Sequence, residues 1–352
     1  MHGLSKEEGI NQVFNGGRHV VILGAGASIA SNHRNPELNG KKLPSMNNLI
    51  DIVGLRDIVD KLPEDLRSDN FETLYANLFN NEPNSKIINE IESRVIEYFQ
   101  NMALPDVPTI YDYLILSLRD KDLIATFNWD PFLFQAFSRN KEFTDNLPAL
   151  SFLHGNVAIG YCKEFDKAGP AGMYMSEKGG YFEPTRLLYP IDHKDYNSDE
   201  FIRVEWEKLQ YWLSKDSGSV RTTIFGYSAP VSDIEAVSLL RNAWGTPEER
   251  DMEQFEIIDV TPEAELRERW DDFIHTHHYD VIDNYFESSL AKNPRRTSES
   301  FFCHFQPMQL SEAFRESNPI PQDFDTLEAL WNWHEDLIKA ENRNKTENKN
   351  ES

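Results

Sequence analysis

Cysteine is scarce: only Cys162 and Cys303 occur in 352 residues. Two thiols exclude both a disulfide framework and a four-thiolate zinc site, and a reducing cytoplasm is the expected compartment. No apolar run approaches the roughly twenty residues that cross a bilayer. Residues 1–17 carry Lys6, Glu7 and Glu8 and hold no apolar core of a secretory signal. Basic charge is short as well: 35 Lys and Arg stand against 59 Asp and Glu, a net charge of −24. Such a chain lacks the basic face of a general nucleic-acid binder, and leaves one small basic patch at Lys292, Arg295 and Arg296. The acidity suits solubility or docking to a basic partner. What is present, 39% hydrophobic and 12% aromatic residues, is enough to bury a substantial core.

The clearest pattern is a repeated one. The apolar run 19–23 ends in Gly24-Ala25-Gly26-Ala27-Ser28, and the runs 123–128, 149–156, 220–228 and 255–261 also pass from β-formers to small or polar residues. In an open parallel sheet, ligands sit outside the carboxyl ends of the strands, so five such ends predict one nucleotide pocket. Between the strands, residues 43–60, 111–118, 199–213, 233–244 and 262–276 read as helices, with Pro131 opening another. Ser45 is a candidate cap for the first of them. Residues 71–100 place Leu74, Leu78, Ile87, Ile91, Val95 and Phe99 near helical spacing. The fold class is therefore α/β: a doubly wound, mostly parallel Rossmann-like sheet with a helical insertion and C-terminal helices. The expected division is a nucleotide-binding domain over 1–278, with a helical insertion over about 60–108 and a lid-like, Gly-, Pro- and Tyr-rich loop over about 160–198. A C-terminal helical extension over 279–340 and a polar, disordered tail over 341–352 follow.

Several of these strand ends carry chemistry, each with a plainer alternative. Gly24 and Gly26 allow close backbone approach to a pyrophosphate, and Ser28 can open a helix whose N-terminus favours phosphate; equally, the glycines can simply close a buried strand. Ile29 replaces the third glycine of the dinucleotide fingerprint. Asn128 and Asp130 fall on one side if their strand continues, or cap the helix at Pro131. His154, after an apolar strand and before Gly155, is placed for proton transfer or packed as a structural histidine. Gly226-Tyr227-Ser228, with Asp233 behind it, and Asp259-Val260-Thr261 suit a ribose or adenine; helix capping by Ser232 or Thr261 is the other reading. The run His275-Thr276-His277-His278 has no carboxylate–cysteine set nearby, so no metal is expected.

In this order, Gly-Ala-Gly-x-Ser, Phe-Asn-x-Asp, Leu-His-Gly and Gly-Tyr-Ser resemble the sirtuin family over residues 18–265. The resemblance implies that Gly24, Ala25, Gly26 and Ser28 hold NAD phosphates and ribose, and that Asn128, Asp130 and His154 surround the nicotinamide ribose. It further implies that Gly226 and Ser228 meet the phosphates and the adenosine ribose and Val260 the adenine. Two features depart from the deacylases of the family. The region after the His-Gly motif holds only Cys162 instead of a four-cysteine zinc module, and Leu43-Pro44-Ser45 replaces the usual Asp-Phe-Arg run. Both match the zinc-free, sirtuin-like proteins of bacterial anti-phage defence that hydrolyse NAD. The activity implied is an NAD glycohydrolase acting in abortive infection, with NAD as substrate and no zinc. The alternatives are an ADP-ribosyl transferase or residual deacylase, or a non-catalytic NAD or ADP-ribose sensor. Since unchecked NAD loss is toxic, the resemblance also implies a trigger: a homo-oligomer, or a separate activating subunit such as an ATPase or nucleic-acid-sensing protein.

Overall fold

A buried run of β-branched and aliphatic side chains forms β1 (Arg18–Leu23), and β2 (Leu123–Thr126) and β3 (Ala149–Phe152) follow it on one flank. In the computed structural model, residues 4–33, 42–83, 85–176, 179–191, 196, 198–227, 233–246, 254–274, 279–305 and 317–351 are described. Five short strands come next in the chain: β4 (Ile159–Cys162), β5 (Lys167–Pro170), β6 (Tyr174–Ser176), β7 (Gly179–Tyr181) and β8 (Glu183–Pro184). The chain then returns to the other flank of β1 with β9 (Ser219–Phe225), β10 (Gln254–Ile258) and β11 (Tyr279–Ile282). The central sheet has the order β11-β10-β9-β1-β2-β3, and all its pairings are parallel. This is the doubly wound order, reversing between β1 and β9, where a crevice opens at the carboxyl ends. The register brings the ends level: Leu23 is paired with Thr126 and Phe225, Thr126 with Phe152, and Ile258 with Phe225 and Ile282.

Helices cover the sheet because their apolar stripes need it. Asp199 caps the helix Glu200–Leu213 by accepting the Ile202 N–H at 3.0 Å, and Ile202, Trp206, Leu209 and Leu213 are buried. In the insertion, Phe71–Asn81 and Lys86–Gln100 are two helices. Ser85 caps the second through the Ile88 N–H at 3.2 Å. Its buried stripe is Ile88, Ile91, Val95 and Phe99, while Ile87 is exposed. Successive steps of four residues drift by about 40° each around a helix, so a stripe starting at Ile87 turns away from Phe99.

Other expectations change in form. Residues 43–60 break into Leu49–Val53 and Arg56–Val59 at Gly54. Residues 160–198 contain a three-stranded antiparallel sheet, β5-β4-β8, and the hairpin β6-β7, where a loop was expected. Strands of two to four residues are too short to show a period. Tyr279 opens the sixth strand of the main sheet, where a helix was expected, so the division at 278 cuts through the fold. The helix Leu327–Glu351 runs through the segment expected to be disordered, and it is anchored by a buried residue of that segment, Glu341. Arg295 and Arg296 make no surface patch: both are buried against Glu341. Among the described residues, no helix is long and apolar enough to cross a membrane.

Candidate functional site

Where the strand order reverses, the turns after β1 and β9 touch backbone to backbone. The Gly24 N–H donates to Phe225 O and the Gly26 N–H to Gly226 O, both at 2.9 Å. Gly226 has φ +61°, and a Cβ there would sit 2.3 Å from the Ala27 nitrogen; one on Gly24 would reach Gly226 O at 2.4 Å. These glycines are therefore required by contact between the two turns, whatever else binds there. The helix Ala25–His33 starts at once, so Ser28 lies inside its first turn and is not its cap.

Ser28 is buried, and three side chains converge on it. Its hydroxyl donates to Asp130 Oδ2 at 2.7 Å, receives the Asn128 amide at 2.9 Å and meets the Tyr111 hydroxyl at 2.5 Å. Strand β2 stops at Thr126, so simple alternation does not align Asn128 with Asp130; the turn does. Asn156 pins that turn, its amide donating to Asn128 O at 3.1 Å and Asp130 O at 2.7 Å. Asn128 also donates to Gly24 O at 2.8 Å. Since a carbonyl only accepts, this contact fixes which end of the amide is nitrogen. Its Oδ1 accepts no hydrogen bond among the described residues, and Asn128 lines an open cavity.

Asp130 combines both of its sequence readings. Oδ1 accepts the Phe132 N–H at 3.2 Å at the start of the helix Phe132–Lys141, while Oδ2 takes Ser28. Burial pushes its carboxyl up to about 6, against the opposing pull of the Ser28 and Phe132 hydrogen bonds.

His154 follows β3 and is mostly buried, its ring edge-on to Phe127 at 4.8 Å. Gly155 beside it has φ +73°, and a Cβ there would strike Arg186 O at 2.1 Å, so the segment leading to Leu188 lies tight on this turn. His154 Nε2 lies 2.9 Å from the Tyr196 hydroxyl, which donates to Asp233 Oδ1 at 2.9 Å. Asp233 in turn caps the helix Ile234–Trp244.

These groups share a cavity of about 300 Å³, at the lower end of the range for small-molecule sites. Gly24, Ala25, Ser28, Asn128, Asp130, His154, Gly226 and Asp233 line it, together with Leu49 and, from the insertion, Glu72 and Phe99. Gly26 is spent on the turn contact. Val260 stands 86% exposed on the loop after β10 and does not line the cavity. Ser228, Ser232 and the histidines at 275, 277 and 278 lie outside the described residues. Sequence reasoning missed Tyr111, Asn156 and Tyr196, which hold the lining residues from behind. Among the described residues, no group of three or more His, Cys, Asp or Glu side chains is arranged to hold a metal.

The fold and site define a doubly wound α/β protein with a cavity of mixed polar and apolar lining at the reversal of strand order. No family model and no curated protein matches the chain. Among solved structures it is similar to a Sir2 homologue in complex with NAD, at 15% identity over 80% of this chain and 90% of that one, with a TM-score of 0.37. It is also similar to Sir2 bound to an acetylated peptide, at 12% identity over 79% and 92%, with a TM-score of 0.39. A third is a mutant Sir2 homologue in complex with ADP-ribose, at 12% identity over 77% and 96%, with a TM-score of 0.37.

Proposed function

We propose that the chain is an NAD glycohydrolase that yields nicotinamide and ADP-ribose. The observation that carries this reading is Asn128: its amide nitrogen is committed to Gly24 and Ser28, its oxygen accepts no hydrogen bond among the described residues, and the residue lines a cavity shared with a buried carboxylate and a histidine. The motif order that resembles the sirtuin family supports NAD as the substrate. So does the N-terminus of the helix Ala25–His33 at the cavity, where a phosphate is favoured.

Hydrolysis breaks the bond between the nicotinamide nitrogen and C1′ of the ribose. The bonding pair stays on the nitrogen, so nicotinamide departs neutral and needs no strong general acid. Positive charge develops at C1′ through an oxocarbenium-like state, as in glycoside cleavage. Asp130, ionised above about pH 6, supplies opposing negative charge in a water-poor wall. Asn128 Oδ1 accepts a hydrogen from the attacking water and aims its oxygen at C1′. The water's proton passes to His154 and then to solvent. The balance is NAD plus water giving nicotinamide, ADP-ribose and one proton. The same reading extends to defence against phage, with activity released by assembly or by a separate activating subunit.

The test is Asn128→Ala. Hydrolysis should fall roughly a hundredfold or more while NAD binding changes much less, because positioning is lost and the cavity's shape is kept. Product analysis by chromatography separates free ADP-ribose from ADP-ribose transferred to an acceptor. Binding and hydrolysis both at the wild-type level would defeat the proposal.

A further inference from the structure

His154, Tyr196 and Asp233 come from separate segments and meet at the cavity wall, and the hydrogen bonds between them fix where one proton lies. Asp233 accepts at Oδ1 from the Tyr196 hydroxyl at 2.9 Å and from the Ala236 N–H at 3.4 Å, the pattern of an ionised helix cap. The Tyr196 oxygen also lies 2.9 Å from His154 Nε2. A phenol has one proton to give. Burial, and then the Asp233 charge, drive the Tyr196 pKa far upward, so the phenol keeps that proton and directs it to the carboxylate. The hydrogen in the contact between His154 and Tyr196 must then come from the imidazole. Asp233 Oδ2, 3.5 Å from the same Nε2, favours a proton there as well. The Tyr196 ring is fixed by the stack on His154, with centroids 5.8 Å apart, and by an edge contact with Trp206 at 4.9 Å. Trp206 is anchored in turn to Leu153 O through its indole N–H at 3.1 Å.

We propose that Tyr196 and Asp233 hold neutral His154 as the Nε2–H tautomer, so that Nδ1 is the nitrogen that takes up the proton in the reaction. Tyr196 is then a positioning residue that acts on the chemistry through His154. This deepens the glycohydrolase reading and rests on it for the role of Nδ1; the tautomer itself stands on the hydrogen bonds alone. The arrangement also places the residue that sets the base on residues 160–198, the segment between β3 and β9. A partner or assembly that moves this segment would change the orientation of His154 without touching the substrate.

The experiment is nitrogen-15 histidine NMR on the full chain, with His154 assigned by the resonance lost in His154→Gln. Above the His154 pKa, the wild type should show a protonated Nε2 and an unprotonated Nδ1. Tyr196→Phe keeps the ring stack and removes the hydroxyl, and should give a mixture of tautomers. Its kcat for NAD hydrolysis should fall about tenfold, with KM within about twofold. An Nδ1–H tautomer in the wild type overturns the proposal, and so does an unchanged spectrum in Tyr196→Phe. If Tyr196→Phe does not fold, the wild-type tautomer still decides. If the wild type hydrolyses no NAD, the glycohydrolase reading fails while the spectrum continues to judge the tautomer.

Discussion

Glu341 and Asp130 are both buried carboxylates, and the protein treats them in opposite ways. Glu341, on the long C-terminal helix, receives Arg295 at 2.5 and 2.8 Å, Arg296 at 2.6 Å and the Asn146 amide at 2.5 Å. Burial alone would raise its pKa, but Arg295, by charge and hydrogen bond, and then Arg296 hold it at about 2. Asp130, at the edge of the cavity, receives neutral donors, the Ser28 hydroxyl and the Phe132 N–H, so burial prevails and the value rises to about 6. The first arrangement is a lock: the guanidinium of Arg295 also binds Leu116 O, Leu118 O and Asn146 O, tying the C-terminal segment to the turns beside β2 and β3. The second leaves a carboxylate on the wall of a cavity with no cationic partner among the described residues. A fold tolerates that cost where a ligand or transition state supplies the missing charge.

Breaking the lock should give the largest effect. Glu341→Ala strands two buried guanidinium groups, and removing one partner of a buried ion pair costs about 3–5 kcal/mol. Urea unfolding of the variant should show a loss of that order; a loss below about 1 kcal/mol would mean that the cluster does not hold the fold. The next effect is smaller and has the opposite pH sign. The folded pKa of Glu341 is depressed, so its contribution is present above about 4.5 and fades as pH falls toward 2. The folded pKa of Asp130 is raised from 3.8 to about 6, so the native state binds the extra proton and stability is lost as pH rises through that window. Replacing Asp130 with Asn should therefore remove a penalty of about 3 kcal/mol at pH 7 and little at pH 4. Equal gains at both pH values would erase the contrast between the two carboxylates.

The comparison also shows why one cluster was legible in the sequence and the other was not. Ser28, Asn128, Asp130, His154 and Gly226 each stand just past a short apolar run. A parallel sheet with level ends brings such positions together whatever their separation along the chain. Arg295, Arg296 and Glu341 follow no such rule: the pair and its counter-ion meet only because a helix packs back onto the core, and from the sequence the arginines look like a surface patch. Strand β11 was misread because four half-buried residues at a sheet edge show neither period clearly. Tyr196 was hidden in a stretch dominated by Gly, Pro and Tyr. Tyr111 was hidden in a helix buried along its whole length, where a tyrosine looks like ordinary core. The one available signal was its hydroxyl: a fully buried phenol needs a partner, and polar strand ends are where partners are found.

Tyr111 supplies the smallest and most discriminating test, because it touches the cavity cluster without lining the cavity. Its hydroxyl meets Ser28 at 2.5 Å and the Asn128 amide at 3.3 Å, and its ring is fully buried. Tyr111→Phe keeps the ring and removes one hydroxyl. Asn128 retains Gly24 O and Ser28, and Ser28 retains Asp130, so no group on the wall loses its last partner. The expected cost is about 1 kcal/mol in unfolding free energy, the usual net worth of one hydrogen bond. NAD hydrolysis should stay within about threefold of wild type, well short of the loss that a positioned catalytic group causes. That outcome would make Tyr111 a support on the structural side of the comparison. A large loss of hydrolysis with unchanged stability would move it to the functional side, and would mean that Asn128 is aimed from behind the cavity as well as from the turn that carries it.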